Sequence, residues 1–308
     1  MIGTGGVGGY YGGLLARQGH EVIFFARGAH LVAILKNGLQ IKSIHGDFTI
    51  SPAQVTDDLA RFRPVDLILF CVKAYDTEHA AQAIKSIIGE HTLILSLQNG
   101  IDAAEQIGEV VGIKHLLGGA TWISSVIEAP GVINQVSQHR RIIFGSLSGG
   151  VTPDHQSIFE AFQQAGIDVE LSENMPKVLW TKFVFISAVS SLGALTRLTI
   201  GEYRPIPETR AMMKALMLEV EAVARSQGVS LDVDIVEKTM ALIDTVDPRI
   251  KASMQLDVET GRVFELEAVV GAIGRKGRAA NLPTPTVDMV YAALLPAYLK
   301  AQKAAALA

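Results

Sequence analysis

The first eight residues of the chain contain four glycines in a regular spacing. The stretch Gly3-Thr4-Gly5-Gly6-Val7-Gly8 has the form G-x-G-x-x-G and continues into a glycine-rich apolar segment that ends near Gly19. A second apolar run, Glu21 to Arg27, follows it. A glycine turn, a closely packed helix and a strand in this order are typical of a dinucleotide-binding unit.

Each glycine of this pattern has its own predicted role. Gly3 permits the tight turn, Gly5 lets a pyrophosphate approach the backbone, and Gly8 lets the helix pack closely on the strand. The phosphates are expected at the helix N-terminus, where free N–H groups favour an anion. We therefore predict that Gly3, Thr4, Gly5, Gly6, Val7 and Gly8 bind the cofactor, with a glycine-rich turn without a ligand as the alternative.

Only Met1 and Ile2 precede the glycines, although a buried central strand is expected there. We therefore expect that the chain as given begins a few apolar residues late.

The residue that ends the second apolar run predicts the type of cofactor. Arg27 lies 19 residues after Gly8, where an NAD enzyme carries an acidic residue against the ribose 2′-hydroxyl. A guanidinium there is a good partner for a 2′-phosphate. The position favours NADP(H) over NAD(H), and a surface arginine is the alternative.

Composition limits the classes of protein to consider. With 308 residues, of which 49% are hydrophobic, the chain is long enough for two domains with large cores. A net charge of −4 gives no electrostatic reason to expect a nucleic acid or an anionic membrane as partner.

The N-terminus lacks the pattern of a signal peptide, and the apolar run Phe183 to Leu195 is interpreted as a buried helix. The single Cys71 is expected to be buried and inert, no Cys/His cluster has zinc spacing, and the protein is expected to be cytoplasmic.

Two further apolar runs end in polar side chains. Val65 to Lys73 and Thr92 to Leu97 resemble parallel strands covered on both faces. Because ligands of open α/β sheets bind beyond the carboxyl ends of strands, Lys73 and Asn99 are predicted at the cofactor site. For Asn99, a turn residue before a glycine is the alternative.

The order of the elements predicts the domain organisation. Strands and helices alternate up to the strand Asp168 to Leu171, and only helices are predicted beyond, over about 176–193, 207–227, 233–244, 254–280 and 284–303. The fold class is α/β, with a Rossmann-type NADP-binding domain at 1–173 and an all-helical substrate and catalytic domain at 174–308. The apolar residues of the last helices belong either to a core or to a homodimer face.

Two predicted helices carry isolated charges. Lys182 lies in an otherwise apolar helix, where it either extends to the surface or lies in a cleft as a proton donor with a lowered pKa. In the helix predicted at 254–280, Arg262 and Glu265 have the i,i+3 spacing of a salt bridge. An exposed salt bridge explains these charges as well as a functional site does. Ser253 is expected to cap this helix.

Six segments in order give the chain a resemblance to a known family. They are 3–9, 71–77, 97–101, 180–182, 253–257 and 261–267. On these segments the chain resembles the ketopantoate reductase (2-dehydropantoate 2-reductase) family, which implies an NADPH-dependent oxidoreductase that acts on CH–OH groups. The implied reaction reduces 2-dehydropantoate in pantothenate biosynthesis, at an active site between a Rossmann-type domain and a helical domain.

The resemblance also implies roles for residues of this chain. Lys182 matches the lysine that protonates the developing alkoxide, and Glu265 matches a catalytic glutamate near substrate and cofactor. Ser253 matches the serine that holds the substrate carboxylate. Asn99 matches a contact to both substrate and cofactor, while Lys73 and Arg27 match cofactor contacts.

The chain departs from the family pattern where the substrate is held. The family carries asparagines at the positions of Ile186, Ser190, Ile200 and Ile250. Loss of these amides predicts a more apolar pocket and a paralogue with a more apolar 2-oxo acid as substrate. A 3-hydroxy-acid-type NADP dehydrogenase and a non-catalytic NADP(H)-binding sensor are the alternatives.

Overall fold

The chain folds into two units, and the computed structural model describes residues 1–307. The first unit contains Met1–Gln98 and Ala103–Val178. The second contains the short segment Asn99–Asp102 and the chain from Leu179 onward. Mixed α/β structure ends at Leu171, and helical structure begins at Met175. The predicted domain limits of 1–173 and 174–308 stay a prediction.

The first unit is built from nine strands and five helices within the described residues. The strands are β1 (Ile23–Phe25), β2 (Leu39–Ser43), β3 (Phe48–Ile50), β4 (Gln54–Thr56), β5 (Leu67–Phe70), β6 (Leu93–Ser96), β7 (Leu116–Ala129), β8 (Val132–Ser146) and β9 (Asp168–Leu171). The helices are α1 (Gly6–Arg17), α2 (Gly28–Asn37), α3 (Thr77–Ile84), α4 (Ala103–Val111) and α5 (Pro153–Gln164).

Seven strands form one sheet with the order β3-β2-β8-β7-β6-β5, and β9 pairs with β8. β5, β6 and β7 are parallel to their neighbours in this series, whereas β7 and β8 form a long antiparallel hairpin. β1 pairs in parallel with β4. Ile2, the last residue before the glycine turn, bridges both Phe25 and Phe70 in parallel. The turn therefore starts between β1 and β5.

Side chains alternate between two cores on the buried strands, as the period of a strand requires. Ile68 and Phe70 of β5 lie in one core with Ile94 of β6. Leu69 and Leu95 lie in the other, together with side chains of α1 and α5. Both faces of these strands are covered, which explains why their sequences are apolar throughout.

The second unit is helical. Its helices are α6 (Met175–Thr196, whose first residues belong to the first unit), α7 (Ile200–Tyr203), α8 (Pro207–Ser226), α9 (Ile235–Thr245), α10 (Ser253–Glu259), α11 (Ala272–Ala279) and α12 (Pro285–Ala306). α6 has the length and mean hydropathy of a membrane span, but 61% of its apolar window is buried. Its side chains Phe183, Val184 and Leu192 lie in the core of the unit. This agrees with the prediction of a buried helix there.

One predicted helix is wrong. The segment predicted as a single helix at 254–280 consists of α10, a connection from Thr260, a π-helical turn at Glu267–Gly271, and α11. Gly261 has φ +68°, which ends α10 in a conformation that glycine adopts without strain. Arg262 accordingly pairs with Asp257 at 3.3 Å rather than with Glu265.

The glycine turn generates a prediction about stability. A Cβ on Gly8 would lie 2.2 Å from the carbonyl oxygen of Gly3, whereas a Cβ on Gly5 meets no atom within 4 Å. Gly8→Ala is expected to lower the free energy of unfolding by about 1–3 kcal/mol because backbone has to shift. Gly5→Ala should cost less than about 1 kcal/mol. Urea unfolding of both variants measures the difference, and equal losses would contradict the predicted close packing.

Candidate active site

The glycine turn forms an open helix N-terminus in the first unit. Gly3 has φ +89°, which turns the chain sharply after Ile2. Gly5 precedes α1 as its N-cap residue, with no side chain bonded over the first turn and no acidic residue within it. The N–H groups at this end and the open space beside Gly5 suit a pyrophosphate. Residues 3–8 therefore fit the dinucleotide group predicted for them.

Two basic side chains lie beyond strands of the same unit. Arg27 follows β1 and is exposed, with its guanidinium carbon 5.1 Å from the centre of the Phe25 ring. Lys73 follows β5 and precedes the short 3₁₀ turn Ala74–Asp76. Both positions lie after the carboxyl end of a strand, where phosphate contacts are expected. Their roles as cofactor ligands stay predictions.

Cys71 directly follows β5 and packs beside the core. Burial raises the pKa of its thiol to about 12. The thiolate form needed for nucleophilic chemistry is therefore scarce at neutral pH.

The segment after β6 brings an asparagine to the helical unit. Gln98, the last residue before the change of unit, is buried and donates from Nε2 to the Val72 carbonyl oxygen at 3.0 Å and to Thr77 Oγ1 at 2.8 Å. The next residue, Asn99, accepts a hydrogen bond from Lys182 Nζ at 3.1 Å. Two residues predicted from separate parts of the sequence thus lie in contact.

Lys182 has the electrostatic surroundings of a proton donor. Its neighbours in the sequence of α6, Trp180 and Phe183, are both buried. Burial lowers the pKa of Lys182 to about 8, and the negative charge of Glu265 partly opposes this effect. Glu265 is itself only 6% exposed. A lysine poised near neutral pH can both donate a proton and bind a developing oxyanion.

Ion pairs fix the segment that carries Asn99. The Asp102 carboxylate lies 3.1 Å from Lys276 Nζ and 3.4 Å from an Arg275 guanidinium nitrogen. Gly100 has φ +107°, and a Cβ there would lie 3.2 Å from the Ala268 carbonyl oxygen. Asp102 was not predicted as a site residue, and its only signal in the sequence is an acid three residues after Asn99.

Ser253 occupies a different position from the one expected. It is the first residue of α10 and is exposed, and the N-cap is Ala252, with no side chain bonded over the first turn. Its predicted role as a cap is wrong because the helix starts at Ser253 itself, one residue earlier than a capping serine requires. Its role in holding a carboxylate stays a prediction.

The four residues that depart from the family pattern lie in different environments. Ile186 is one turn after Lys182 on α6 and is partly buried against the helical core. Ser190, one turn further, is 2% exposed. Ile200 is 1% exposed, and Ile250 is 47% exposed. Of the four, only Ile186 combines the face of Lys182 with partial exposure.

A cavity of about 280 Å³ lies elsewhere in the helical unit. It is lined by the π-helical turn, α11 and α12, including Glu267, Arg275, Arg278, Asp288 and Tyr291. Its polar groups bind one another: Tyr291 donates to Glu267 at 2.6 Å, and Arg278 pairs with Asp288 at 3.2 Å. None of the predicted site residues lines it.

Family models match most of the chain. Residues 1–149 match the model for "Ketopantoate reductase PanE/ApbA", and residues 174–297 match the model for its C-terminal domain. The chain belongs to the ketopantoate reductase family. As a member of it, the protein is an NADP-dependent oxidoreductase that acts on CH–OH groups, and the predicted fold class and family are confirmed.

Relatives of the ketopantoate reductase family cover between 95% and 98% of the chain. The "2-dehydropantoate 2-reductase" of Mesorhizobium japonicum is 27% identical over 313 residues, with 95% of each chain covered. The "uncharacterized oxidoreductase YkpB" of Bacillus subtilis is 28% identical over 96% of each chain. The crystal structure of a PanE/ApbA family ketopantoate reductase from Ralstonia eutropha JMP134 superimposes with a TM-score of 0.89, 31% identity and 98% coverage of both chains.

The position of Arg27 generates a prediction about cofactor choice. Arg27→Ala is expected to weaken binding of NADPH by roughly 10- to 100-fold, the range for a hydrogen bond to a charged group, and to change binding of NADH much less. Fluorescence titration of both cofactors measures the two affinities. Equal losses would argue against a contact to the 2′-phosphate.

The pKa of Lys182 generates a prediction about pH. If its ammonium donates the proton, kcat/KM for reduction should fall about tenfold per pH unit above about 8, because the donor loses its proton there. Lys182→Ala should lower turnover by about two to four powers of ten and abolish this limb. NADPH binding, measured alongside, should survive. Near-normal turnover of the variant would exclude the role.

Proposed function

We propose that this protein reduces a 2-oxo acid with NADPH, using Lys182 as the proton donor, and that it prefers a more apolar substrate than 2-dehydropantoate. The contact of Lys182 Nζ with Asn99 Oδ1 at 3.1 Å carries the proposal. It holds an ammonium of lowered pKa in the part of the helical unit that also contains the buried Glu265.

Different residues would bind the cofactor, donate the proton and orient the donor. NADPH, when bound, supplies a hydride to the keto carbon, and the first-unit residues Gly3–Gly8, Arg27 and Lys73 would hold its phosphates. Lys182 donates a proton to the keto oxygen and stabilises the negative charge that develops on it. Asn99 fixes the direction of the ammonium through its Oδ1 atom. Glu265 keeps the ammonium protonated at neutral pH, since its charge raises the lysine pKa.

Substrate preference depends on the side chains near the lysine. Ile186 replaces an amide that could hydrogen-bond the hydroxyl group of 2-dehydropantoate. It instead presents a branched aliphatic side chain one turn from Lys182. A site without that partner leaves a substrate hydroxyl unsatisfied, which costs affinity and rate. Ser253, at the exposed start of α10, remains the proposed partner of the substrate carboxylate.

The packing of α6 among core side chains of its own unit supports a core helix rather than a membrane span. The apolar residues Val287, Val290 and Leu294 of α12 likewise belong to that core. Met289 of the same helix is 57% exposed, so the homodimer face that the sequence left open stays a prediction.

A panel of 2-oxo acids, followed by NADPH absorbance, tests the proposal. We expect 2-oxo acids with branched aliphatic or aromatic side chains to have the highest kcat/KM. Ile186→Asn should raise kcat/KM for 2-dehydropantoate about tenfold and lower that for the apolar acids, since one satisfied hydrogen bond is worth about a factor of ten. Ile206→Asn, at an exposed position of the same unit, is the control and should change neither value.

The panel also separates the alternatives. Ordinary enzymatic efficiency on 2-dehydropantoate, with little activity on apolar acids, would overturn the altered preference and leave the 2-oxo acid reductase. Oxidation of 3-hydroxy acids in place of 2-oxo acid reduction would support the 3-hydroxy-acid-type dehydrogenase. NADPH binding without turnover of any acid would support the sensor.

A further inference from the structure

A histidine outside the family segments connects two backbone segments of the first unit. His30 lies in the first turn of α2, three residues after Arg27, and is half-buried. Its Nε2 atom lies 2.8 Å from the carbonyl oxygen of Thr4, within the glycine turn. Its Nδ1 atom accepts a hydrogen bond from the Gly131 N–H at 2.9 Å, in the turn between β7 and β8.

These two partners determine which nitrogen of the imidazole carries the proton. The Thr4 carbonyl oxygen can only accept a hydrogen bond, so Nε2 has to carry a proton. The Gly131 N–H can only donate, so Nδ1 has to be without one. Both bonds form together only in the neutral tautomer with hydrogen on Nε2. Burial lowers the pKa of His30, which also favours the neutral ring at pH 7.

The hairpin turn that holds the imidazole is itself firmly placed. Gly131 has φ +81°, and a Cβ on it would lie 3.0 Å from the Cβ atom of Ala33 on α2. Its carbonyl oxygen accepts a hydrogen bond from the Gln40 N–H at 2.9 Å. The Nδ1 atom of His30 is therefore bonded to a backbone N–H group whose position is fixed. The ring in turn fixes the position of the Thr4 carbonyl oxygen.

The bond to Thr4 orients the next N–H group. In a planar trans peptide, the C=O and N–H bonds point in opposite directions. Holding the Thr4 oxygen against His30 therefore turns the N–H of Gly5 away from α2. Gly5 is also held from its other side, since its carbonyl oxygen accepts from the Gly9 N–H at 2.7 Å. The space beside Gly5 is open.

We propose that His30 is a positioning residue of the dinucleotide site, which aims the Gly5 N–H at the pyrophosphate through the Thr4–Gly5 peptide. The inference rests on the proposed placement of the cofactor on Gly3–Gly8. It adds a residue that holds the phosphate-binding backbone in its donor conformation and does not touch the ligand. Arg27 and His30 then act from the same end of α2, one on the 2′-phosphate and the other through the glycine turn.

Two substitutions separate the contributions of the two His30 hydrogen bonds, one to Thr4 and one to Gly131. In His30→Gln, the side-chain amide nitrogen replaces Nε2 and keeps the donor to Thr4. In His30→Asn, the shorter amide keeps an acceptor near Gly131 and loses that donor. We expect His30→Asn to raise the Kd for NADPH roughly 3- to 10-fold, the range for one hydrogen bond, and His30→Gln to stay within about 2-fold of the unchanged protein.

Controls exclude a general loss of stability. The Tm of both variants is measured, and a difference in Kd between variants of similar Tm reports the donor to Thr4. His79→Asn changes an exposed histidine of α3 and should leave the Kd unchanged. Nitrogen-15 NMR of the unchanged protein should show His30 as the neutral ring with hydrogen on Nε2. Normal NADPH affinity of His30→Asn, an equal loss in His30→Gln, or the opposite tautomer would overturn the proposal.

Gly5→Ala distinguishes this proposal from the placement of the cofactor. Its methyl group would enter the open space where the pyrophosphate is expected, so its Kd for NADPH should rise at least tenfold. Unchanged binding in Gly5→Ala would overturn both the cofactor placement and the role of His30. Weakened binding in Gly5→Ala with normal binding in His30→Asn would overturn the role of His30 alone.

Discussion

The hydrogen bond from Lys182 to Asn99 is the interaction on which the chemistry proposed for the helical unit depends. A lysine ammonium removed from water is costly unless a polar partner faces it, and the pKa falls to reflect that cost. Here the partner comes from a four-residue segment, Asn99–Asp102, that leaves the sheet after β6 and belongs to the helical unit. The charged groups of Lys276 and Arg275 hold the end of this segment at Asp102. The position of Lys182, the proposed proton donor, is therefore set by residues from distant parts of the chain.

The first unit meets a different constraint, the close approach of backbone to backbone. Gly8, the third residue of α1, lies so close to the carbonyl oxygen of Gly3 that only a residue without a side chain fits there. The same turn is held by His30 from α2, whose Nε2 atom lies 2.8 Å from the Thr4 carbonyl oxygen, and the space beside Gly5 is open. At Gly8, the absence of a side chain allows the close backbone contact that the fold needs. At Gly5, it leaves room for the proposed ligand.

Sequence patterns predicted most elements because the patterns are local. The apolar runs at β5 and β6 are buried on both faces, and the alternating α/β order ends where the helices begin. The prediction failed at 254–280, where helical periodicity continues through a glycine of positive φ and a π-helical turn. Periodicity reports which side chains are apolar, and it does not report where the backbone changes its hydrogen-bonding partner.

The sequence by itself determined the cofactor-binding pattern, the family and the candidate residues, because each follows from residue type and spacing along the chain. Only the tertiary structure decided which of these residues meet. Lys182 and Asn99 are 83 positions apart and in contact. Of the four positions that depart from the family pattern, Ile186 lies on the same face of α6 as Lys182 and is partly exposed. Ser190 and Ile200 are buried, and Ile250 is exposed. Contacts between distant segments depend on how helices pack, and no spacing in the sequence records that packing.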